Sequence, residues 1–158
     1  NTNTLKTSSI GRLFDAVASL LHLTDYNTYE GEAAILLENS IFSYDLKSSL
    51  SYLAYPEKGI SATEIIQNIY ADLNNGTAKE NIIVNFLYTL AFSIIEIAKS
   101  NNYKHLVLSG GVFQNTTLVD LLIELAPKEI KLYFHKDLSP NDENISFGQM
   151  MYYLNIKE

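Results

Sequence analysis

The sequence predicts an α/β fold in which a helix-rich first part, residues 1–103, is followed by a strand–helix–strand–helix tail, residues 104–158. Three observations lead there. Apolar residues recur three and four apart through most of the first hundred positions, the period of a helix with one buried face. In the tail two short apolar runs, residues 104–108 and 130–134, alternate with helical patterns, the signature of parallel strands joined by crossover helices. Residues 106–115, LVLSGGVFQN, break from a strand into paired glycines and resume as a helix, and the chain is organised around that turn.

Taken in order, residues 10–23 set Leu13, Phe14, Val17, Leu20 and Leu21 on one stripe, so a helix is expected with Ser8 or Ser9 as its cap. Asp15 follows Phe14 near the start, where the helix dipole favours a carboxylate. After a polar connection over residues 24–28, Tyr29-Glu30-Gly31-Glu32 leads into a second helix over residues 33–42. Glycine just inside a helix costs about 1 kcal/mol against alanine, so Gly31 either forms the turn into that helix or leaves room for an approaching group. Glu30 and Glu32 suit a first helical turn and ligand contacts equally.

Residues 43–59 alternate imperfectly and end at Pro56 and Gly59, which reads as a loop with short strands. Ser61-Ala62-Thr63-Glu64 is a capping box opening a helix through Leu73, which Asn74-Asn75-Gly76 stops. Residues 77–100 are the longest periodic segment, with Ile82, Ile83, Phe86, Leu90, Ile94, Ile95 and Ala98 on one broad face of a long, largely buried helix. Beyond the glycine turn a helix is expected over residues 114–125. Then come the second strand, a polar loop over residues 136–144 with Pro140, and a last helix over residues 145–154.

With 158 residues, 47% of them hydrophobic, the chain can build a core of its own. Asp and Glu number 18 against 11 Lys and Arg, a net charge of -7, which argues against a broad basic surface for nucleic acid or anionic membrane. The absence of cysteine excludes disulfides, Cys-ligated zinc and a thiol nucleophile in this segment, and fits a reducing cytoplasm. No uninterrupted apolar span approaches the roughly 20 residues of a membrane helix, and the polar start NTNTLKTSS lacks the regions of a signal peptide. A soluble cytoplasmic protein is expected. The start lacks a Met and reads as an internal cut in a longer chain, with a processed or trimmed terminus as the alternative. No repeat or linker divides the sequence.

Paired glycines let a backbone approach a ligand closely, and the free N–H groups of a new helix favour an anion, so Ser109-Gly110-Gly111 is a candidate phosphate site. Turns of this kind also occur with no ligand. The Asn141-Asp142 loop follows the other strand, and both loops fall at carboxyl ends of parallel strands, where α/β proteins bind ligands. Pro140 and Asn141 stiffen the loop of Asp142, whose carboxylate suits a divalent cation beside a phosphate, or a cap on the last helix. His22, His105 and His135 lack the paired helical spacing of metal ligands. His22 reads as an exposed helix end, and the other two as structural residues beside strands.

Four stretches, TSSIGRLFDAVASLL, TYEGEAA, LVLSGGVFQN and SPNDENISFGQ, together resemble in order the C-terminal part of the HypF carbamoyltransferases of nickel-iron hydrogenase maturation, over residues 7–149. That family is related to tRNA threonylcarbamoyl transferases and antibiotic O-carbamoyltransferases on an actin-like, sugar-kinase-like ATPase fold of the ribonuclease-H-like class. The resemblance implies that carbamoyl phosphate and ATP become carbamoyl-adenylate upstream, and that the carbamoyl group then passes to the C-terminal cysteine of HypE. It implies nucleotide-binding roles for Asp15 (ribose hydroxyls), Gly31 (backbone over the nucleoside), Gly110 and Gly111 (the anion cradle) and Asn115. It implies that Asp142 ligates a divalent metal, iron or magnesium. The remaining ligands in the family, a His-x-x-x-His pair, lie in an earlier part of the domain, so the segment is expected to be inactive alone.

Two departures stand out. The family reads Asn-Asp-Gly-Gly-Ile where this chain has Asn141-Asp142-Glu143-Asn144-Ile145, and Phe-His where it has Phe86-Leu87. The altered Asp142 loop motivates an alternative, a non-catalytic module of the same fold that docks a maturation partner. Threonylcarbamoyl transfer to tRNA is a further alternative, to which SGGVFQN and YEGEAA are less similar.

Overall fold

The computed structural model describes residues 7–156, so the polar opening as far as residue 6 lies outside it. Six helices and two strands follow in the order α1 (Ile10–Leu20), α2 (Glu32–Asn39), α3 (Ala62–Asn74), α4 (Lys79–Ser100), β1 (His105–Leu108), α5 (Thr116–Leu125), β2 (Lys131–Phe134) and α6 (Ile145–Asn155). Short 3-10 turns sit at Pro56–Lys58, Gly111–Gln114 and Asp142–Asn144.

Helix α4 is the axis of the core. It packs on α3 and on α5, and carries fully buried Ile82, Ile83, Phe86, Leu87 and Ile95. Phe14 of α1 meets Phe86 edge-on, with ring centroids 5.0 Å apart and planes at 71°. The buried stripe of α1 lies mainly against α2 and α3, and Phe14 is the point at which it reaches α4. By length and composition α4 is also apolar enough to cross a membrane, which corrects the expectation that no span approaches that length. Its most apolar window is 67% buried inside the fold, which marks a core helix.

Helix α1 ends three residues earlier than expected because His22 adopts a left-handed φ of 54°. The Leu23 N–H turns back to the Ala18 carbonyl at 2.9 Å and the His22 N–H to Ser19 at 2.9 Å, which satisfies carbonyls the helix would leave open. Ser9 occupies the cap position of α1 without a side-chain hydrogen bond. Ser61 caps α3 as its pattern predicts, its Oγ accepting the Glu64 N–H at 3.3 Å. The Glu64 carboxylate, however, reaches Ala54, accepting that N–H at 2.8 Å.

That diversion shows why residues 43–59 contain no strand, contrary to expectation. The backbone donors of this stretch go to helix side chains. Glu80 accepts the N–H groups of Phe42 at 2.7 Å and Ser43 at 3.0 Å, Asn85 takes Leu50 at 2.9 Å, and Thr89 takes Tyr52 at 2.9 Å. With its donors satisfied from α3 and α4, the stretch needs no ladder. Tyr52 is the plug: burial and the Asp72 carboxylate, which accepts its hydroxyl at 2.7 Å, push the phenol well above the ordinary tyrosine range.

The strands pair in parallel, His105 opposite Lys131 through Leu108 opposite Phe134. Helix α5 connects them, as a parallel pair requires. Leu106, Leu108, Leu132 and Phe134 pack toward the core. On the other face Val107 is 77% exposed, and the His105 ring lies 2.9 Å from the Tyr133 hydroxyl. Helix α6 has no buried residue and leaves Ile145, Phe147, Met150 and Leu154 in solvent. Glu38 of α2 joins the helical part to the tail by capping α5: its Oε1 accepts the N–H groups of Thr116 at 2.7 Å and Thr117 at 3.0 Å, a carboxylate against the positive end of a helix.

Candidate functional site

Four separate stretches meet at one open cleft of about 1000 Å³: the first turns of α1, residues 27–31 before α2, the turn that follows β1 and the turn that follows β2. Asp15, Gly31, Gly111 and Asp142 all line it, whereas Gly110 and Asn115 do not.

Asp15 stands on the second turn of α1, directly after buried Phe14, so packing of that ring on α4 fixes where the carboxylate projects. Its Oδ1 accepts the Asn27 amide at 2.8 Å and its Oδ2 the Arg12 guanidinium at 2.9 Å. The Arg12 side chain is 72% exposed, so this ion pair orients more than it stabilises. A carboxylate has about four lone-pair sites, leaving acceptor capacity toward the cleft.

Gly31 is the cap position of α2, at φ 83°, and its carbonyl accepts the Ile35 N–H at 3.1 Å. Added Cβ atoms would meet nothing within 4 Å there, so the left-handed conformation, not crowding, requires glycine. The turn into the helix is observed, and the open space beside Gly31 on the cleft wall leaves room for an approaching group as well. Glu32 holds the same segment: its Oε2 accepts the Thr28 N–H and also the Thr28 hydroxyl, the latter at 3.0 Å. The Thr28 backbone N–H, then its hydroxyl, keep the Glu32 carboxyl below the usual glutamate value. With a lowered folded value, the contribution is full above the ordinary glutamate range and is lost as pH falls through the lowered one. The Thr28 amide resonance in a pH titration should therefore move with a midpoint below that of a free glutamate. A midpoint at or above it would contradict this arrangement.

The glycine turn and the Asp142 loop are fastened together. Gly110, at φ 117°, donates its N–H to the Pro140 carbonyl at 2.7 Å, and Gln114 Nε2 donates to Ser139 Oγ at 3.3 Å. The Gly110 amide is thus committed, and Gly111 is the member of the pair that reaches the cleft. A Cβ on Gly111 would come to 3.9 Å from Gln114 Oε1 and 4.0 Å from Asn141 Cβ, filling the gap between the two loops.

Asn115 caps α5, its Oδ1 accepting the Leu118 N–H at 2.8 Å, so the helix starts at Thr116, two residues later than expected. Its Nδ2 is a buried donor without a partner among the described residues. An orphaned donor next to the glycine turn is what a polar ligand would satisfy. Asp142 opens its 3-10 turn exposed beside Glu143, and both line the cleft. Among the described residues no three His, Cys, Asp or Glu side chains converge as a metal set, so Asp142 is at most one ligand of a shared site. Asn27 and Arg12 were not singled out from the sequence. Asn27 lies in a polar connection without periodicity, and only the fold brings it to Asp15.

An α/β unit with a ligand-sized cleft at the carboxyl ends of parallel strands is the architecture of a small-molecule-binding subdomain. The family model described as carbamoyltransferase, Kae1-like domain, second subdomain, matches residues 1–149. The carbamoyltransferase HypF of Synechocystis sp. is 35% identical over 153 residues, covering 92% of this chain and 19% of that protein. The probable carbamoyltransferase HypF of Methanocaldococcus jannaschii is 30% identical over 154 residues, covering 94% and 20%. Among solved structures, full-length HypF in the phosphate- and nucleotide-bound form superposes with a TM-score of 0.75 at 34% identity, over 99% of this chain and 22% of that one. HypF of T. kodakarensis superposes at 0.80 with 25% identity, over 98% and 21%. The chain belongs to the HypF carbamoyltransferase family, and spans about a fifth of the length of the relatives it matches.

Proposed function

We propose that this chain forms one wall of the site at which a HypF carbamoyltransferase holds carbamoyl-adenylate and passes the carbamoyl group to HypE. The observation that carries this is the convergence of Asp15, Gly31, Gly111 and Asp142, from four separate stretches, on one cleft. A relative described as phosphate- and nucleotide-bound supports it.

In this reading residues 104–158 are the nucleotide-binding α/β part of an actin-like, sugar-kinase-like ATPase domain, and residues 1–103 its mainly helical support. Asp15, already oriented by Asn27, accepts the ribose hydroxyls. The Gly31 turn closes over the nucleoside, Gly111 of the Gly110-Gly111 turn meets the phosphate, and Asn115 stands behind that turn as the cap of α5. Asp142 would hold a divalent metal, iron or magnesium, with histidines from the rest of the domain, and that ion would supply Lewis acidity toward the developing charge. The transfer balances as an acyl substitution. The HypE cysteine sulfur bonds to the carbamoyl carbon, the bond from that carbon to the AMP phosphate oxygen breaks, AMP leaves, and the thiol proton goes to solvent. The acceptor thiol belongs to HypE, consistent with a chain that has no cysteine. Carbamoyl phosphate and ATP supply the adenylate upstream, in the cytoplasm and without a membrane. The 158-residue chain alone is inactive in this reading.

A second reading, a docking module that keeps the fold without the chemistry, is favoured by one observation: Glu143 puts a second carboxylate on the cleft wall beside Asp142. The test is Asp15→Ala in the full-length protein. Loss of the ribose contacts should raise the KM for supplied carbamoyl-adenylate, read as carbamoyl transfer to HypE, about tenfold with little change in Tm. An unchanged KM would remove Asp15 from the nucleotide site.

A further inference from the structure

His135, the first residue after β2, connects two places that the mechanism above does not use it for. Its Nε2 lies 3.0 Å from Ser109 Oγ, and its Nδ1 2.7 Å from Asn144 Nδ2. With the Asn144 amide nitrogen turned to the ring, Nδ1 accepts and Nε2 carries the proton that goes to Ser109, the tautomer this network assigns. Ser109 immediately precedes Gly110, and Asn144 closes the 3-10 turn that Asp142 opens. One half-buried ring thus spans the end of β1, the end of β2 and the far end of the Asp142 turn.

We infer that His135 is a positioning residue: its ring closes the loop of residues 136–143 on itself and fastens it to the glycine turn, setting where Asp142 stands. The physical case rests on what else holds that loop. Residues 136–138 and Asp142 are exposed, and the Asp142 carboxylate accepts no hydrogen bond among the described residues. The ties across to the glycine turn are the Gly110 to Pro140 bond and the long Gln114 to Ser139 bond. Neither closes the loop end to end. The His135 to Asn144 bond does so, joining residues nine apart, and the Ser109 bond then registers the closed loop against β1. The chain lacks the family's two glycines after Asp142 and has Glu143 and Asn144 instead; Asn144 supplies the amide that grips the ring. The departure from the family pattern thereby becomes a contact.

The consequence for ligands rests on the proposed nucleotide site, and the experiment separates the two. In the full-length protein, hydrogen exchange of residues 136–144 is compared between wild type and His135→Ala, alongside the affinity for a non-hydrolysable carbamoyl-adenylate analogue with magnesium. Exchange in the loop should quicken roughly tenfold or more while β1 and α5 stay protected. The analogue's Kd should rise by about 10-fold or more, as when partners that orient a ligating group are lost. Added imidazole should restore both, which a general loss of packing would not allow. Should His135→Ala not fold, Ser109→Ala and Asn144→Ala each remove one bond and should each give part of the effect. Unchanged loop exchange overturns the proposal, and so does faster exchange with unchanged analogue affinity. A wild-type protein that does not bind the analogue overturns the nucleotide reading instead, and loop exchange alone then decides the role of His135.

Discussion

In the full-length protein, Asp142→Ala is expected to lower carbamoyl transfer to HypE by roughly 10²-fold or more, because a Lewis acid is worth several kcal/mol of transition-state stabilisation and each 1.36 kcal/mol is about tenfold in rate. The same substitution should leave Tm nearly unchanged. Asp142 is exposed, and among the described residues its carboxylate supports no hydrogen bond or ion pair. Rate and stability thus separate, which is the mark of a residue kept for chemistry. Carbamoyl-adenylate-dependent modification of the HypE thiol, followed by mass spectrometry, measures it. A variant that transfers at the wild-type rate would favour the docking module, with Glu143 as the residue that displaced the metal.

The largest loss of stability is expected from Phe86→Ala. Phe86 is fully buried in the first half of α4 and pairs edge-on with Phe14, itself 1% exposed. Deleting a buried phenyl ring costs about 3–5 kcal/mol through lost transfer energy and the cavity left behind. Set against the roughly 5–15 kcal/mol that hold a typical domain together, that is a large share. Urea unfolding should show the midpoint falling with the slope unchanged. Phe14 precedes Asp15, so the variant should also loosen the placement of that carboxylate. A loss below about 1 kcal/mol would mean that the Phe14–Phe86 contact does not organise the core.

What the sequence made legible follows from how local each signal is. The stripe on α4, the Ser61 cap and the two strands rest on periodicity and on a hydrogen bond three residues long, and all appear where expected. The strands foreseen in residues 43–59 do not. Their backbone donors are satisfied by Glu80, Asn85 and Thr89, which lie 35 to 38 positions away, and no local pattern encodes that. The cleft divides in the same way. Gly31 and the paired glycines announce themselves as breaks in a pattern, but the Asn27 to Asp15 bond exists only after α1 has docked. His135 looked like an ordinary strand-end histidine because its two partners lie 26 residues before it and nine after.

The bare outer face of the β1–β2 pair and the wholly exposed helix α6 also bear on colloidal behaviour. Parallel sheets ordinarily have both faces covered, yet Val107 and the apolar side chains of α6 face water. Such surfaces attract one another when copies meet. At neutral pH the charge of -7 opposes that contact. Near the isoelectric point of about 4.9 expected from its composition that opposition fades, so the 158-residue chain handled by itself should be least soluble there, which a turbidity titration checks.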